Sequence, residues 1–264
     1  MRHTNRTRPW AGRLAAGALA AGAVAVLVAV PSAAFAAPSV ADATGTTAPS
    51  STSAPASNPL CTAATLGQAQ QRVEAALSGR VTQLNTLLTA VNSTANHLSA
   101  PDRGTLQSDI STVELPGIQG LEPQAQQATT CAALRSVARQ MVFDYRVYVV
   151  MTPQTHLTIV ADDETFVEGV LAGLEPKISA AIQNAQSQGT DVTAAQSAFA
   201  DFQKQVTAAQ GATTGEAAQV LAQKPQGYPG NWTVFRSARS NLGNARLDLH
   251  AALADARQIR SDLQ

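Results

Sequence analysis

Nine residues near the C-terminus constrain this chain more than any other feature. Phe235, Ala238, Leu242, Ala245, Leu249, Ala252, Ala256, Ile259 and Leu263 follow one another at alternating spacings of three and four. That rhythm is an a/d seam sustained over four heptads, and it demands a long helix with a helical partner. One layer is mostly Leu and Phe, the other mostly Ala, so a partner can approach closely. The flanks carry charge of opposite sign. Arg239, Arg246 and Arg260 lie on one edge with Leu253; Asn241, Asp248, Asp255 and Asp262 lie on the other. Two such helices side by side and antiparallel would set like charges against each other. A parallel pair of copies, or an internal partner with reversed edges, would not. Gly230-Asn231 supplies the start, with Asn231 as the expected N-cap.

The same rhythm recurs upstream. Leu77, Val81, Leu84, Leu88, Val91, Ala95 and Leu98 predict a first helix from about 62 to 98. Ser99-Ala100-Pro101-Asp102 reads as a cap with Pro in the first turn of a short second helix ending near Val113. Leu115-Pro116-Gly117 and Gly120 to Pro123 predict a break. Leu134, Ala138, Met141, Tyr145 and Tyr148 mark a helix over 125–151, and Thr152-Pro153 predicts a restart with Thr152 as N-cap. The next helix carries Leu157, Val160, Val167, Leu171, Leu174 and Ile178 and ends near Gly189. Thr193 to Gln196 resembles a capping box, and Ala195, Phe199, Phe202, Val206 and Ala209 continue the seam. Residues 211–230 read mostly as loop. Val142 to Val160 is also rich in strand formers, so a hairpin turning at Thr152-Pro153-Gln154 is the alternative to a kinked helix. The expected fold is all-α: an elongated antiparallel up-down bundle of four or five helices with coiled-coil-like packing.

The N-terminal sequence leads to the expectation that this bundle works outside the cytosol. Arg2, Arg6, Arg8 and Arg13 precede an apolar run from Leu14 to Val30, then Pro31 and Ala34-Phe35-Ala36. This is the order of a cleavable export signal over 1–36, with an uncleaved anchor as the alternative. No cysteine follows the cleavage position, which disfavours lipidation. Residues 37–60 are mostly Ala, Pro, Ser, Thr and Gly, a composition that predicts a disordered spacer before a helical domain over 61–264. The whole chain balances 18 basic against 18 acidic residues. Loss of four signal arginines and no acid leaves a net charge of −4. Nothing then attracts nucleic acid, and no further membrane span is expected.

Cys61 and Cys131 are the two cysteines. In an oxidising compartment they are expected to pair, closing a long loop worth about 4 kcal/mol in the chain-entropy model. Free thiols are the alternative. Neither cysteine has a second ligand at metal-site spacing.

Sites of chemistry are scarce. GxSxG, P-loop, GxGxxG and HExxH patterns are absent. His97, His156 and His250 fall on different helices. Asp144, Tyr145, Arg146, Tyr148 and His156 lie in the most apolar stretch, where polar groups could line a pocket. Tyr145, Tyr148 and His156 are the candidate ligand-binding residues, beside the plainer reading that this stretch is ordinary core and edge. Asp162-Asp163-Glu164, with Glu168 and Glu175, could hold a metal only with ligands from a second helix. Pairing against the arginine edge of the last helix is the expected role. No cofactor or metal is expected.

Three motifs together carry a resemblance. Asp144-Tyr145-Arg146-Val147-Tyr148-Val149 leads into Pro153-Gln154 and His156-Leu157. Tyr228-Pro229-Gly230-Asn231 opens the last helix, which then repeats Ala-Arg pairs at 238–239, 245–246 and 256–257. The pattern, over most of 61–264, resembles an uncharacterised group of small exported α-helical proteins of actinobacteria. Fifteen arginines against three lysines fit a high-GC genome. The resemblance implies an exported helical protein, favours helix over hairpin at Pro153, and implies no activity. The acidic stretch at 162–164 departs from it. The sequence thus points to a structural or interaction protein of the cell envelope or exterior, with an unknown envelope partner or self-association through the last helix. A ligand-binding bundle is the alternative.

Overall fold

A computed structural model describes residues 61–264; the predicted signal and spacer lie outside the described residues. The described chain is all-α, with helices α1 (Leu66–Val91), α2 (Ala100–Ser108), α3 (Leu115–Gln126), α4 (Cys131–Phe143) and α5 (Thr152–Ala172). These are followed by α6 (Glu175–Ser187), α7 (Thr193–Thr213), α8 (Glu216–Leu221) and α9 (Asn231–Asp262). Helical continuity merges all but the short α8 into five rods. Residues 100–126 form one rod, and α4, α5 and α6 form a broken second. Contacts fix the directions. Gln70 at the start of α1 donates to the carbonyls of Ala125 and Ala128, so α1 and α3 are antiparallel. Cys61 bonds Cys131, and Gln83 donates to Thr152, so α4–α5 runs alongside α1. Thr213 donates to Glu168 and Gln203 to Glu175, which makes α7 antiparallel to α5 and α6. Asn241 donates to Glu216 while Asp255 faces Asp201, which makes α9 antiparallel to α7. The course is up, down, up, down, up.

The α9 seam is filled from within. Ala245, Leu249, Ala252 and Ile259 pack against Ala195, Phe202, Val206 and Ala209 of α7. The partner of the seam is therefore α7, and self-association through α9 would have to use its outer face, where Leu247 is 68% exposed. The charged edges are only partly matched. Arg246 reaches Glu164 of α5 at 3.4 Å, whereas Asp255 meets Asp201 and its pKa is raised by burial and then by that neighbour.

Several expected boundaries move. The first helix stops at Val91, and 92–99 is a turn held by Arg103, which donates to the carbonyls of Val91 and Leu98 and to Asn96. Ser99 does cap α2, accepting from the Asp102 amide at 3.3 Å, with Pro101 in the first turn. The break expected at 115–123 is absent: a π-helical stretch, Asp109–Glu114, joins α2 to α3. A second π stretch, Val147–Met151, leads into α5, so the chain neither restarts at Thr152 nor turns there as a hairpin. Each π stretch ends two residues before a proline, Pro116 or Pro153. Proline has no N–H and crowds the carbonyl four residues back; a widened turn at that point relieves both demands.

The interruption instead comes at Asp144–Arg146, where Arg146 is left-handed (φ 46°, ψ 42°). The long helix expected to Gly189 divides at Gly173-Leu174, before Pro176. Thr193 does not cap α7. Val192 takes the N-cap position, and Asp191 before it accepts from the Thr193 amide at 3.0 Å and hydroxyl at 2.7 Å. The expected loop at 211–230 contains the end of α7 and all of α8. Gly230, rather than Asn231, occupies the N-cap of α9; Asn231 is buried and donates to the Lys224 carbonyl at 3.1 Å.

Candidate functional site

The three candidate ligand residues face different neighbours. The Tyr145 ring lies across Gly117 of α3, so closely that a Cβ there would overlap it. This contact is the requirement for glycine at 117. Tyr148 reaches α1 instead: its ring lies under the Arg80 guanidinium, 5.1 Å away, and a Cβ on Gly79 would be 3.4 Å from its hydroxyl. His156 is on the exposed face of α5. The two tyrosines thus serve helix contacts, and the recesses lined by Asp102 and Glu168, and by Asn85 and Thr89, lie elsewhere.

What the 142–160 stretch builds is an aromatic edge. A left-handed non-glycine residue costs about 1–2 kcal/mol. At Arg146 the guanidinium stacks between two rings, 5.2 Å from Phe143 and 4.6 Å from Tyr228. Its Nε is buried without a hydrogen-bond partner. Val142, Phe143 and Val149 are exposed around it. Trp232, in the first turn of α9 four residues past Tyr228, is exposed beneath Arg236. Burying such rings needs a partner, and aromatic and arginine side chains are those that interfaces concentrate.

The acidic stretch of α5 is used mainly to fasten its neighbours. Asp163 accepts the His97 amide at 2.6 Å and lies 3.3 Å from the ring Nδ1; that ring stacks on Phe166. Asp162 accepts the Ser99 amide at 2.6 Å. Both aspartates therefore hold the 92–99 turn, and of these acids Glu164 meets an arginine of α9. Glu164 is buried, and burial raises its pKa to about 7 against the lowering effect of Arg246. Glu168 is also buried and shifted upward by burial, while the hydrogen bond from Thr213 opposes the shift.

A further buried acid has no signature in the sequence. Glu114, on the first π stretch, is 4% exposed and has an unpartnered Oε2. Burial and then Asp109 raise its pKa to about 8, with Lys224 opposing. Nothing in the local pattern distinguishes Glu114 from a surface helix position, since its burial depends on the π register and on the Lys224 loop.

Among the described residues no group of three or more His, Cys, Asp or Glu side chains is placed to hold a metal. No helix among them is long and apolar enough to cross a membrane. The cysteines are joined, with Cα atoms 5.7 Å apart. Comparison with protein-family models, with curated proteins and with solved structures finds no match.

Proposed function

We propose that this protein acts outside the cytosol as a non-catalytic interaction module of the cell envelope, presenting the aromatic edge around Arg146 to a partner. The observation that carries the reading is that edge: Phe143, 52% exposed, and Tyr228 hold a strained arginine that has no ion pair among the described residues, and Trp232, 49% exposed, follows Tyr228 by four residues. The Cys61–Cys131 bond supports an oxidising compartment, in keeping with the export-type N-terminal sequence.

The test places a photo-crosslinking residue at Trp232 in living cells. One recurrent envelope adduct is expected, lost in Phe143→Ser, together with a mature chain that starts near Ala37. Labelling that is diffuse or unchanged in Phe143→Ser would overturn the partner. A chain retaining Met1 in the cytosolic fraction would overturn the compartment.

A further inference from the structure

Away from the aromatic edge, α2, α5, α7 and α8 surround an open recess of about 470 Å³. Its polar lining includes Asp102, Thr165, Glu168, Gln210 and Thr213, with Gly215 at the α7–α8 turn, and among the described residues no Lys, Arg or His lines it. Gly215 is left-handed (φ 77°), which lets the chain turn sharply across the recess.

Two observations set the charge this recess accepts. Asp102 and Glu168 carry carboxylates on two of its walls. Glu168, only 4% exposed, is fixed by the Thr213 hydroxyl on Oε1 at 2.8 Å, and its Oε2 has no protein donor among the described residues. Arg246 does not supply one; it lies against Glu164, one turn back. This oxygen opens to the recess, and a cation that brings its own donors suits it.

We propose that this recess binds a primary ammonium group, with Glu168 as its principal acceptor and Asp102 as a second charge at the rim. One available oxygen on Glu168 suits a compact point charge better than the two-pronged fork of a guanidinium. The alanines at 161, 217 and 218 offer apolar surface for the attached methylenes. The ammonium could arrive on a free diamine or on a lysine side chain, and the experiment separates the two.

Amide NMR spectra of the disulfide-intact chain would be titrated with 1,4-diaminobutane, with Nα-acetyl-lysine N-methylamide, and with 1,4-butanediol as the uncharged control. Saturable shifts centred on Gly215 and neighbouring α8 amides are expected with an ammonium probe and not with the diol. Tighter binding of the diamine assigns the free amine; tighter binding of the lysine amide assigns a protein side chain. Glu168→Gln keeps an acceptor for Thr213 and should weaken binding about tenfold or more. Asp102→Asn, a second variant at a half-buried rim position, should weaken it several-fold. The proposal is overturned if neither ammonium probe shifts these amides up to about 10 mM. It is equally overturned if the diol shifts them as much, or if both variants bind as well as the parent.

Discussion

The α1–α4 region and the α7–α9 pair are closed with different materials. Between α1 and α4 the core is large and aliphatic: Leu77, Leu84, Leu87, Leu106, Ile110 and Ile118 are fully buried, and a disulfide joins the two helix starts. Between α7 and α9 the seam is small: Ala195, Ala209, Ala245 and Ala252 are fully buried around Phe202. Small side chains bring helices close but bury less apolar area. The second region adds polar burial, through Glu164 and Glu168 where it meets α5 and through Glu216 of α8 against Asn241. A volume-filled, cross-linked half and a close-packed, acid-bordered half should fail under different stresses.

The largest expected difference comes from the cross-link. The disulfide spans 70 positions, and the chain-entropy model assigns a loop of that size about 4 kcal/mol. Cys61→Ser with Cys131→Ser should lower the urea midpoint accordingly. Hydrogen exchange should show protection falling first in α1 and α4, with the α7–α9 seam retained longer. Equal loss in both regions would mean that they unfold as one unit and would erase the distinction.

Acidity should separate them next. Glu114 and Glu164 have folded pKa values of about 8 and about 7, raised from 4.5. Above 4.5 the unfolded chain has lost protons that the folded chain still holds, so stability falls as pH rises from there through each folded value. Chemical denaturation should show the protein more stable at pH 5.5 than at pH 8.5. Glu114→Gln should remove the part of the slope reaching to about 8 and raise stability at pH 8.5 by about 1–3 kcal/mol. Glu164→Gln should flatten the part ending near 7. A flat profile in the parent protein would sink both assignments.

A tighter probe of the first region is Gly117→Ala. The added methyl must displace the Tyr145 ring, an overpacking that costs about 1–3 kcal/mol and is read from the melting temperature. The smallest effect is expected at Arg146→Asn. Asparagine tolerates the left-handed backbone, while the stack on Phe143 and Tyr228 is lost, so the two terms nearly offset to within about 1 kcal/mol. A large loss there would mean that the stack, rather than the helices on either side, holds the bend.

How much of this was open to reading follows from the range of each interaction. The α9 seam was legible because a strict 3-4 spacing has one helical interpretation, and the cysteines were legible because there are only two. Ser99 was legible because its cap is local. The acids at 162–163 were not: their partners, the amides of Ser99 and His97, are over sixty positions away and bond through backbone. The bend at Arg146 carries neither Gly nor Pro, the usual breakers. Pro116 and Pro153 misled in the opposite sense, since a widened turn upstream let the helix pass through them. The recess was invisible because its walls come from four separate helices.

Those widened turns have a further consequence. Successive residues of an α-helix are turned by about 100°, and one extra residue taken up in a turn shifts every later side chain by that angle. The stretch at 147–151 therefore acts as a phase shifter for α5. Val147 and Met151 enter the first core, Val150 joins Phe235 in another, and Leu171 reaches the α7–α9 seam. A single helix of fixed phase presents one stripe; this one is re-timed to address three. In evolutionary terms the device amounts to a one-residue insertion, and deleting one residue between 147 and 151 would turn Glu168 about 100° away from Thr213.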